Sequence, residues 1–325
     1  MMRMAVIGTG SALPDRILSN ADLEKMVDTS DEWITTRTGI KNRRIATSGE
    51  ETSKLAAAAA RRALEMAGIS AAALDIIIVG TITSEIGMPS CACLVQKELG
   101  ATNAFAFDLN AACSGFLYSL DLAEKYIKVD PNRTILVIGA ETLSTRVNWQ
   151  DRNTCVLFGD GAGACVVTGS NSGRGMLAGR LFSDGSLYEL LFMNSAPSMN
   201  RDLQQPDYDG SYIKMAGRDV FKHAVRSMED AVRSVLVQEQ LAISDVSLII
   251  PHQANIRILQ SLADRLAIPL EKIYINLDKY GNTSAASIPI ALDEANREGR
   301  IREGEYLLLC AFGGGFTWGA ALFRW

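Results

Sequence analysis

Histidine is nearly absent from this chain: His223 and His252 are the only two in 325 residues. The six cysteines (Cys91, Cys93, Cys113, Cys155, Cys165 and Cys310) form no CxxC pair. With so little imidazole, no metal site is expected. No apolar run approaches the roughly 18 residues of a membrane-spanning helix, so no membrane partner is expected. The formal charge of −5 argues against bulk affinity for nucleic acid. Met1-Met2-Arg3-Met4-Ala5-Val6-Ile7-Gly8 runs straight into a strand, without the charged and apolar regions of a signal peptide. The expectation is a cytoplasmic protein with reduced thiols, in which the matches Asn132-Arg133-Thr134 and Asn282-Thr283-Ser284 to the glycosylation pattern carry no meaning.

What the chain does have is apolar residues, 48% of the total, enough for two domains or one large core. Helix-like and strand-like segments alternate, which predicts an α/β fold. In the first half, helices are expected over 54–67, stopped by Gly68, and over 114–127. Strands are expected over 74–80, 104–109, 134–140, 154–158 and 164–168, with a hairpin-like turn at Gly159-Asp160-Gly161-Ala162-Gly163. The second half repeats the order: helices over 219–240 and 284–297, strands over 246–250, 273–277, 305–310 and 317–324. Matching elements lie roughly 170 residues apart, the mark of a duplication at domain scale. The two halves are expected to divide in the Ser/Asn/Gly stretch Ser170–Arg174, giving units 1–172 and 173–325. The long stretch 183–215, with Pro197 and Pro206, lacks periodicity and reads equally as a functional loop or a surface insertion.

Three residues stand at equivalent strand-to-helix junctions. Cys113 lies in Asn110-Ala111-Ala112-Cys113-Ser114-Gly115, where unpaired N–H groups and the positive end of the helix dipole favour a thiolate. A lone cysteine in an apolar setting is also a common core residue. His252 follows Pro251, which ends a buried strand, and Asn282 opens another helix in Gly281-Asn282-Thr283-Ser284. In α/β sheets such junctions gather at the carboxyl edge of the strands, where sites form. His223, mid-helix and without turn chemistry, reads as structural. Gly313-Gly314-Gly315 could bring backbone close to a ligand and present an N–H to an oxyanion, or be a plain flexible turn. Gly8-Thr9-Gly10 and the run 159–163 lack the third glycine and following helix of a nicotinamide site, which is rejected.

These segments occur in an order that resembles the β-ketoacyl-acyl-carrier-protein synthase III family, of the thiolase-like superfamily. Thr29-Ser30-Asp31-Glu32-Trp33-Ile34, Arg37-Thr38-Gly39-Ile40, Ala111-Ala112-Cys113-Ser114-Gly115, Phe158-Gly159-Asp160-Gly161-Ala162-Gly163, Pro251-His252-Gln253-Ala254-Asn255, Gly281-Asn282-Thr283-Ser284 and Gly313-Gly314-Gly315-Phe316-Thr317-Trp318-Gly319 carry the resemblance, which covers essentially the whole chain. It implies a layered α-β-α-β-α fold with a five-stranded mixed sheet in each half. It also implies a homodimer that condenses an acyl-CoA, acetyl-CoA foremost, with malonyl-acyl carrier protein, and uses coenzyme A thioester as substrate with no further cofactor. Cys113, His252 and Asn282 would be catalytic, and the backbone N–H groups of Cys113 and Gly314 would form the oxyanion hole. Thr29, Trp33, Arg37, Arg152, Gly217 and Asn255 would meet coenzyme A, with the adenine between Trp33 and Arg152. Arg37, Lys41, Arg43 and Arg44 form a basic cluster that either attracts phosphate or is an ordinary solvated loop.

Met88 and Phe158 would line the acyl pocket, Met88 reaching it across the dimer. Several relatives carry Phe at the position of Met88, so a wider primer range and a volume-neutral exchange both remain open. Gln253, Ala254, Asn255, Ile256 and Arg257 would meet the acidic carrier protein. Three rivals stand beside this reading: a Cys-His-Asn hydrolase, a non-catalytic partner subunit, and a condensing enzyme of secondary metabolism that uses another acyl-CoA.

Overall fold

The computed structural model describes residues 2–200, 202, 208 and 210–325, and the architecture is that of these residues. The first half comprises β1 (Arg3–Ala12), β2 (Ile17–Ser19), α1 (Asn20–Leu23), α2 (Asp31–Thr38), β3 (Asn42–Arg44), α3 (Thr52–Ala67), β4 (Ile76–Gly80), α4 (Cys91–Leu99), β5 (Phe105–Leu109), α5 (Gly115–Val129), β6 (Thr134–Thr142) and β7 (Asp160–Ser170). The second comprises β8 (Gly175–Ser183), β9 (Leu191–Met193), β10 (Ile213–Met215), α6 (Gly217–Gln238), β11 (Val246–Pro251), α7 (Ile256–Leu266), α8 (Leu277–Tyr280), α9 (Ser287–Arg297), β12 (Tyr306–Gly313) and β13 (Thr317–Arg324). Pro206 and the rest of 203–207 lie outside the described residues.

One sheet runs β1-β7-β6-β4-β5 and the other β8-β13-β12-β11. The pairings correspond step by step: antiparallel β1·β7 and β7·β6 match β8·β13 and β13·β12, and parallel β6·β4 matches β12·β11. Helices α5 and α9 lie between the sheets and touch both, α3 and α4 cover the outer face of the first, and α6 and α7 cover that of the second. Both faces of each sheet are therefore buried, which explains the unbroken apolar runs. Along β4, Ile76 and Ile78 face the central layer, and Ile77 and Val79 face the outer one. Along β12, Leu307 and Leu309 face the centre, and Leu308 and Cys310 face α6 and α7. Among the described residues, no helix is long and apolar enough to cross a membrane.

Three sequence expectations need correction. The stretch 154–158 is a turn, not a strand: Asp151 accepts from the Thr154 hydroxyl (2.8 Å) and from the Cys155 N–H (2.9 Å). The glycine run 159–163 is no hairpin; Asp160 to Gly163 lie within β7, against β1 and β6. The fifth strand of the second sheet is reduced to one bridge, Ile249 to Ile273. The Gln253 side chain takes over the bonds that a neighbouring strand would make. Its Nε2 donates to the carbonyls of Pro251 (2.8 Å) and Tyr274 (3.0 Å), and its Oε1 accepts from Asn276 N–H (3.1 Å). The chain then turns into α8 at Leu277.

Asn282 is set against the 154–158 turn, through Asn282 N–H to Leu157 O (2.8 Å) and Gly159 N–H to Asn282 O (3.0 Å). Only glycine fits at 159, because a Cβ there would lie 2.2 Å from the Tyr280 carbonyl oxygen. Gly159→Ala is expected to destabilise the fold by roughly 2–3 kcal/mol in urea unfolding. Gly185→Ala, where a Cβ meets nothing within 4 Å, should change stability by less than about 0.5 kcal/mol. Equal midpoints for the two variants would show that the Tyr280 turn yields freely.

Candidate active site

The duplication brings two similar junctions together. Before α5, a tight turn spans Ala112–Ser114; before α9, its counterpart spans Ser284–Ala286, and the two turns touch. Each begins on a non-glycine residue in the left-handed region, Ala112 at φ 45° and Ser284 at φ 48°. The register places Asn110 opposite Asn282 and Cys113 opposite Ala285. Cys113 thus stands in the turn that leads into a 15-residue helix with no side-chain cap.

The glycine loop closes on this cysteine. A Cβ on Gly313 would lie 2.7 Å from Cys113 N and 2.9 Å from its Cβ. Ser114 Oγ donates to Thr317 O (2.9 Å), and Thr317 Oγ1 lies 2.9 Å from Ala111 O and 3.1 Å from Gly314 O. These bonds hold the glycine loop against Cys113, with Ser284 on the turn packed beside it. Burial nevertheless pushes the thiol up to about 11, with Ser284 and the backbone N–H groups of Cys113 and Gly314 opposing and the carboxyl of Glu141 adding to the rise. The helix end therefore does not leave Cys113 as a standing thiolate at neutral pH.

His252 and Asn282 line the same cavity of roughly 950 Å³. His252 is 4% exposed, and burial depresses its pKa to about 4, so the ring is neutral at pH 7. Its Nδ1 lies 2.6 Å from Ser287 Oγ, which already accepts from Gln253 N–H (3.3 Å). Donation from the Ser287 hydroxyl to Nδ1 is the pairing that puts the ring proton on Nε2, toward a ligand. Asn282 Oδ1 accepts from Ser284 N–H (2.9 Å), which leaves the amide NH₂ as the donor end. The cavity thus offers two neutral N–H donors beside a half-buried thiol.

Other expected residues fall on either side of the wall. Trp33, Arg37, Phe158, Gly217, Ala254, Asn255 and Gly314 line the cavity. Thr29 does not, and its hydroxyl is buried without a partner. The slot expected between Trp33 and Arg152 is closed in this structure. The Arg152 guanidinium lies 5.2 Å from the Trp33 ring and that of Arg37 lies 4.7 Å from it, and Arg152 also bonds Asp28 O (2.9 Å). Met88 is 85% exposed, in a loop away from its own chain's cavity.

Two expectations fail on burial. Gln253, 1% exposed, is consumed by the bonds described above and cannot meet a partner at the surface. Arg43, fully buried, donates to Leu18 O, Asn20 Oδ1 and Val156 O, so it braces the fold instead of joining a phosphate-attracting cluster. Arg44 is likewise turned to the carbonyls of Pro14 and Asp15. His223 is half-buried, 5.5 Å from the Phe316 ring, and does not line the cavity.

The sequence reading missed Ser287 and Arg146. The first sits five residues past Asn282 and had no motif of its own; the second lines the cavity with an unpartnered Nε. Of the long segment, Leu191–Ala196, Ile213 and Met215 are wall residues, so at least part of it is site and not insertion.

The electrostatics of His252 can be checked directly. Nitrogen-15 shifts should show a neutral ring with the proton on Nε2 from pH 8 to pH 5, and Ser287→Ala should release the proton between the two nitrogens. The unfolded chain, with histidine near 6.5, binds this proton over a window in which the folded chain does not. Stability should therefore fall as pH drops from about 6.5 toward 4, and His252→Gln should flatten that slope. A ring that titrates near 6.5 in the folded protein would overturn the assignment.

Comparison with known proteins matches this arrangement. The family model for 3-oxoacyl-[acyl-carrier-protein] synthase III matches residues 107–185, and the model for its C-terminal part matches 236–325. The β-ketoacyl-[acyl-carrier-protein] synthase III of Desulfotalea psychrophila is 55% identical over 324 residues, covering 100% of both chains. The crystal structure of 3-oxoacyl-[acyl-carrier-protein] synthase III from Aquifex aeolicus superposes with a TM-score of 0.93 at 53% identity, covering 99% of this chain and 100% of that one. The priming β-ketosynthase of the R1128 polyketide pathway superposes with a TM-score of 0.91 at 36% identity, covering 99% and 96%. The chain, with its thiolase fold and its cysteine, histidine and asparagine on one cavity, belongs to the β-ketoacyl-[acyl-carrier-protein] synthase III family of condensing acyltransferases.

Proposed function

We propose that the protein condenses an acyl-CoA primer, most readily acetyl-CoA, with malonyl-acyl carrier protein to give β-ketoacyl-acyl carrier protein, the opening step of fatty acid synthesis. The observation that carries this reading is the pairing of a half-buried thiol with two neutral donors on one cavity. Cys113 attacks the primer thioester, the N–H groups of Cys113 and Gly314 hold the oxyanion, and coenzyme A leaves. The exchange of one thioester for another is nearly isoenergetic, so the difficulty is kinetic. Malonyl-carrier protein then loses CO₂, and the electrons of the broken C–C bond form an enolate. No C–H proton has to be removed. Charge develops on the thioester oxygen, where His252 Nε2–H and the Asn282 amide can donate. The enolate attacks the acyl carbonyl and releases the Cys113 thiolate.

Coenzyme A enters past Trp33, Arg37, Gly217 and Asn255. Stacking of its adenine on Trp33 requires the Arg152 guanidinium to withdraw, with Thr29 at the rim. Phe158 borders the acyl end. The carrier protein docks on Ala254, Asn255, Ile256 and exposed Arg257 at the start of α7. No cofactor beyond the thioester substrates is used, and the enzyme is cytoplasmic. The working units are the halves 1–172 and 173–325; β7 ends at Ser170 in one sheet and β8 begins at Gly175 in the other.

The functional form is a homodimer, joined along β5. This strand is the edge of its sheet and carries Phe105, 46% exposed, with its ring 6.2 Å from Phe107 and 6.0 Å from Tyr126. An open apolar edge needs covering. Met88 and Ile86, exposed on the neighbouring loop, then reach the partner's acyl pocket. A second reading, priming in a secondary pathway with another acyl-CoA, is supported by the polyketide relative and differs only in primer.

Incubation with radiolabelled acetyl-CoA should leave label on wild type and none on Cys113→Ala; an unlabelled wild type would refute the mechanism. His252→Ala and Asn282→Ala should lose malonyl-carrier-protein decarboxylation, by on the order of a hundredfold or more, before they lose acylation. A panel of acyl-CoA primers should show wild type accepting chains longer than acetyl and Met88→Phe narrowing the range. Acetyl-only turnover by both would remove Met88 from the pocket.

A further inference from the structure

Glu141 is wholly buried, yet the mechanism above gives it no part. It lies near the end of β6, and its two oxygens are used unequally. Oε2 accepts from Thr81 Oγ1 (3.3 Å), from Ile82 N–H (3.2 Å) and from the Thr83 hydroxyl. Oε1 accepts only from Ser284 Oγ, at 3.2 Å. Ser284 opens the turn packed against the cysteine's own, and both residues line the cavity. The two turns thus line up thiol, hydroxyl and carboxylate in series. The Ser284 hydroxyl donates to Glu141 Oε1, which leaves its own oxygen lone pairs free to take a thiol proton.

We propose that this series takes the Cys113 proton during acylation, with Glu141 acting through Ser284 as its resting place. As sulfur attacks the thioester carbonyl, its proton passes to Ser284 Oγ and the serine proton passes to Oε1. Glu141 becomes a neutral acid, and the acyl carbon gains the sulfur. When the tetrahedral adduct collapses, the expelled coenzyme A thiolate takes the Ser284 proton and Glu141 restores it. The sum is one acyl group exchanged for one proton, with the carboxylate returned.

The properties of the carboxyl suit the task. Burial raises Glu141 to about 7, with its four hydrogen bonds opposing. A base that changes state near neutrality both accepts and returns a proton at working pH. His252 is less suited to this role, because burial holds its pKa to about 4 and its proton is set on Nε2 for the enolate. The titratable groups that face Glu141 are Cys113 and, from α4, Cys91; Asp108 and Glu85 face Cys91 from β5 and the Met88 loop. The remaining neighbours are the hydroxyls of Thr81, Thr83 and Ser284.

The proposal rests on Cys113 being acylated, so its test includes a reagent that is not a substrate. Single-turnover acylation by acetyl-CoA and alkylation by iodoacetamide are both followed from pH 5.5 to 9. Wild type should rise to about pH 7 and then level off. Glu141→Gln and Ser284→Ala should react on the order of a hundredfold more slowly at pH 7, and climb about tenfold per pH unit throughout. Glu141→Asp should restore the plateau. Malonyl-carrier-protein decarboxylation should be unchanged in Glu141→Gln, since that step moves no thiol proton. A Glu141 that acted only through its charge would raise the thiol's pKa, and Glu141→Gln would then react faster than wild type; that outcome overturns the proposal. So does an equal loss in acylation and decarboxylation, shared by Thr83→Val, which disturbs the loop but leaves Ser284 in place. If Glu141→Gln does not fold, Ser284→Ala alone decides through the shape of its profile. Absence of acetyl label with an altered alkylation profile would sink the acyl-CoA reading and leave the relay standing.

Discussion

The contact between two buried helix starts governs the rest of this molecule. α5 and α9 are sandwiched between the two sheets, and their starting N–H groups are met by carbonyls of the turns that enter them. Each is entered through a turn that begins in the left-handed region, and the two turns press together. That packing fixes the Cys113 sulfur relative to Ser284, turns the Asn282 amide outward, and places Ser287 under His252. The glycine loop after β12 can close over the cysteine only because Gly313 has no side chain to meet it. Geometry of this kind is cheap to keep, because the central layer cannot relax without opening both sheets.

Burial does opposite things to Cys113 and His252 on the cavity wall. It raises the thiol, making nucleophilic attack harder, and lowers the imidazole, making a neutral donor easier. A site specialised for proton abstraction would gain nothing from a histidine held near 4. A site that must hold charge on a thioester oxygen gains a donor that does not change state with pH. The same dry interior makes the location of each proton consequential, since water cannot supply or take one at will.

Much of this was legible in residue order. The alternation of elements, their repetition and the three junction residues all follow from periodicity and turn chemistry, and the motif string narrows the chemistry further. What stayed hidden has physical reasons. Gln253 reads as a surface residue beside a catalytic histidine, yet its amide replaces a strand's hydrogen bonds; nothing local distinguishes the two. Arg43 sits in a basic run, but only the tertiary fold supplies three buried carbonyl and amide acceptors. The run 154–158 has strand composition, and one aspartate, Asp151, is enough to curl it. Glu141 lies in a strand where an isolated acid would normally be solvated; its meaning depends on hydroxyls some 60 and 140 residues away in sequence.

The amide of Gln253 has an effect beyond its own loop. A duplicated fold should offer two equivalent outer sheet edges, and a chain with two sticky edges can add neighbours without limit. Here β1 and β8 abut each other inside the molecule. The strand that would have formed the second sheet's far edge is tied to a side chain and bent into a helix. Of the two large sheets, as described, β5 is the edge left with an open ladder. The asymmetry introduced by one glutamine leaves the two large sheets one strand edge to pair through, where two would permit a fibre.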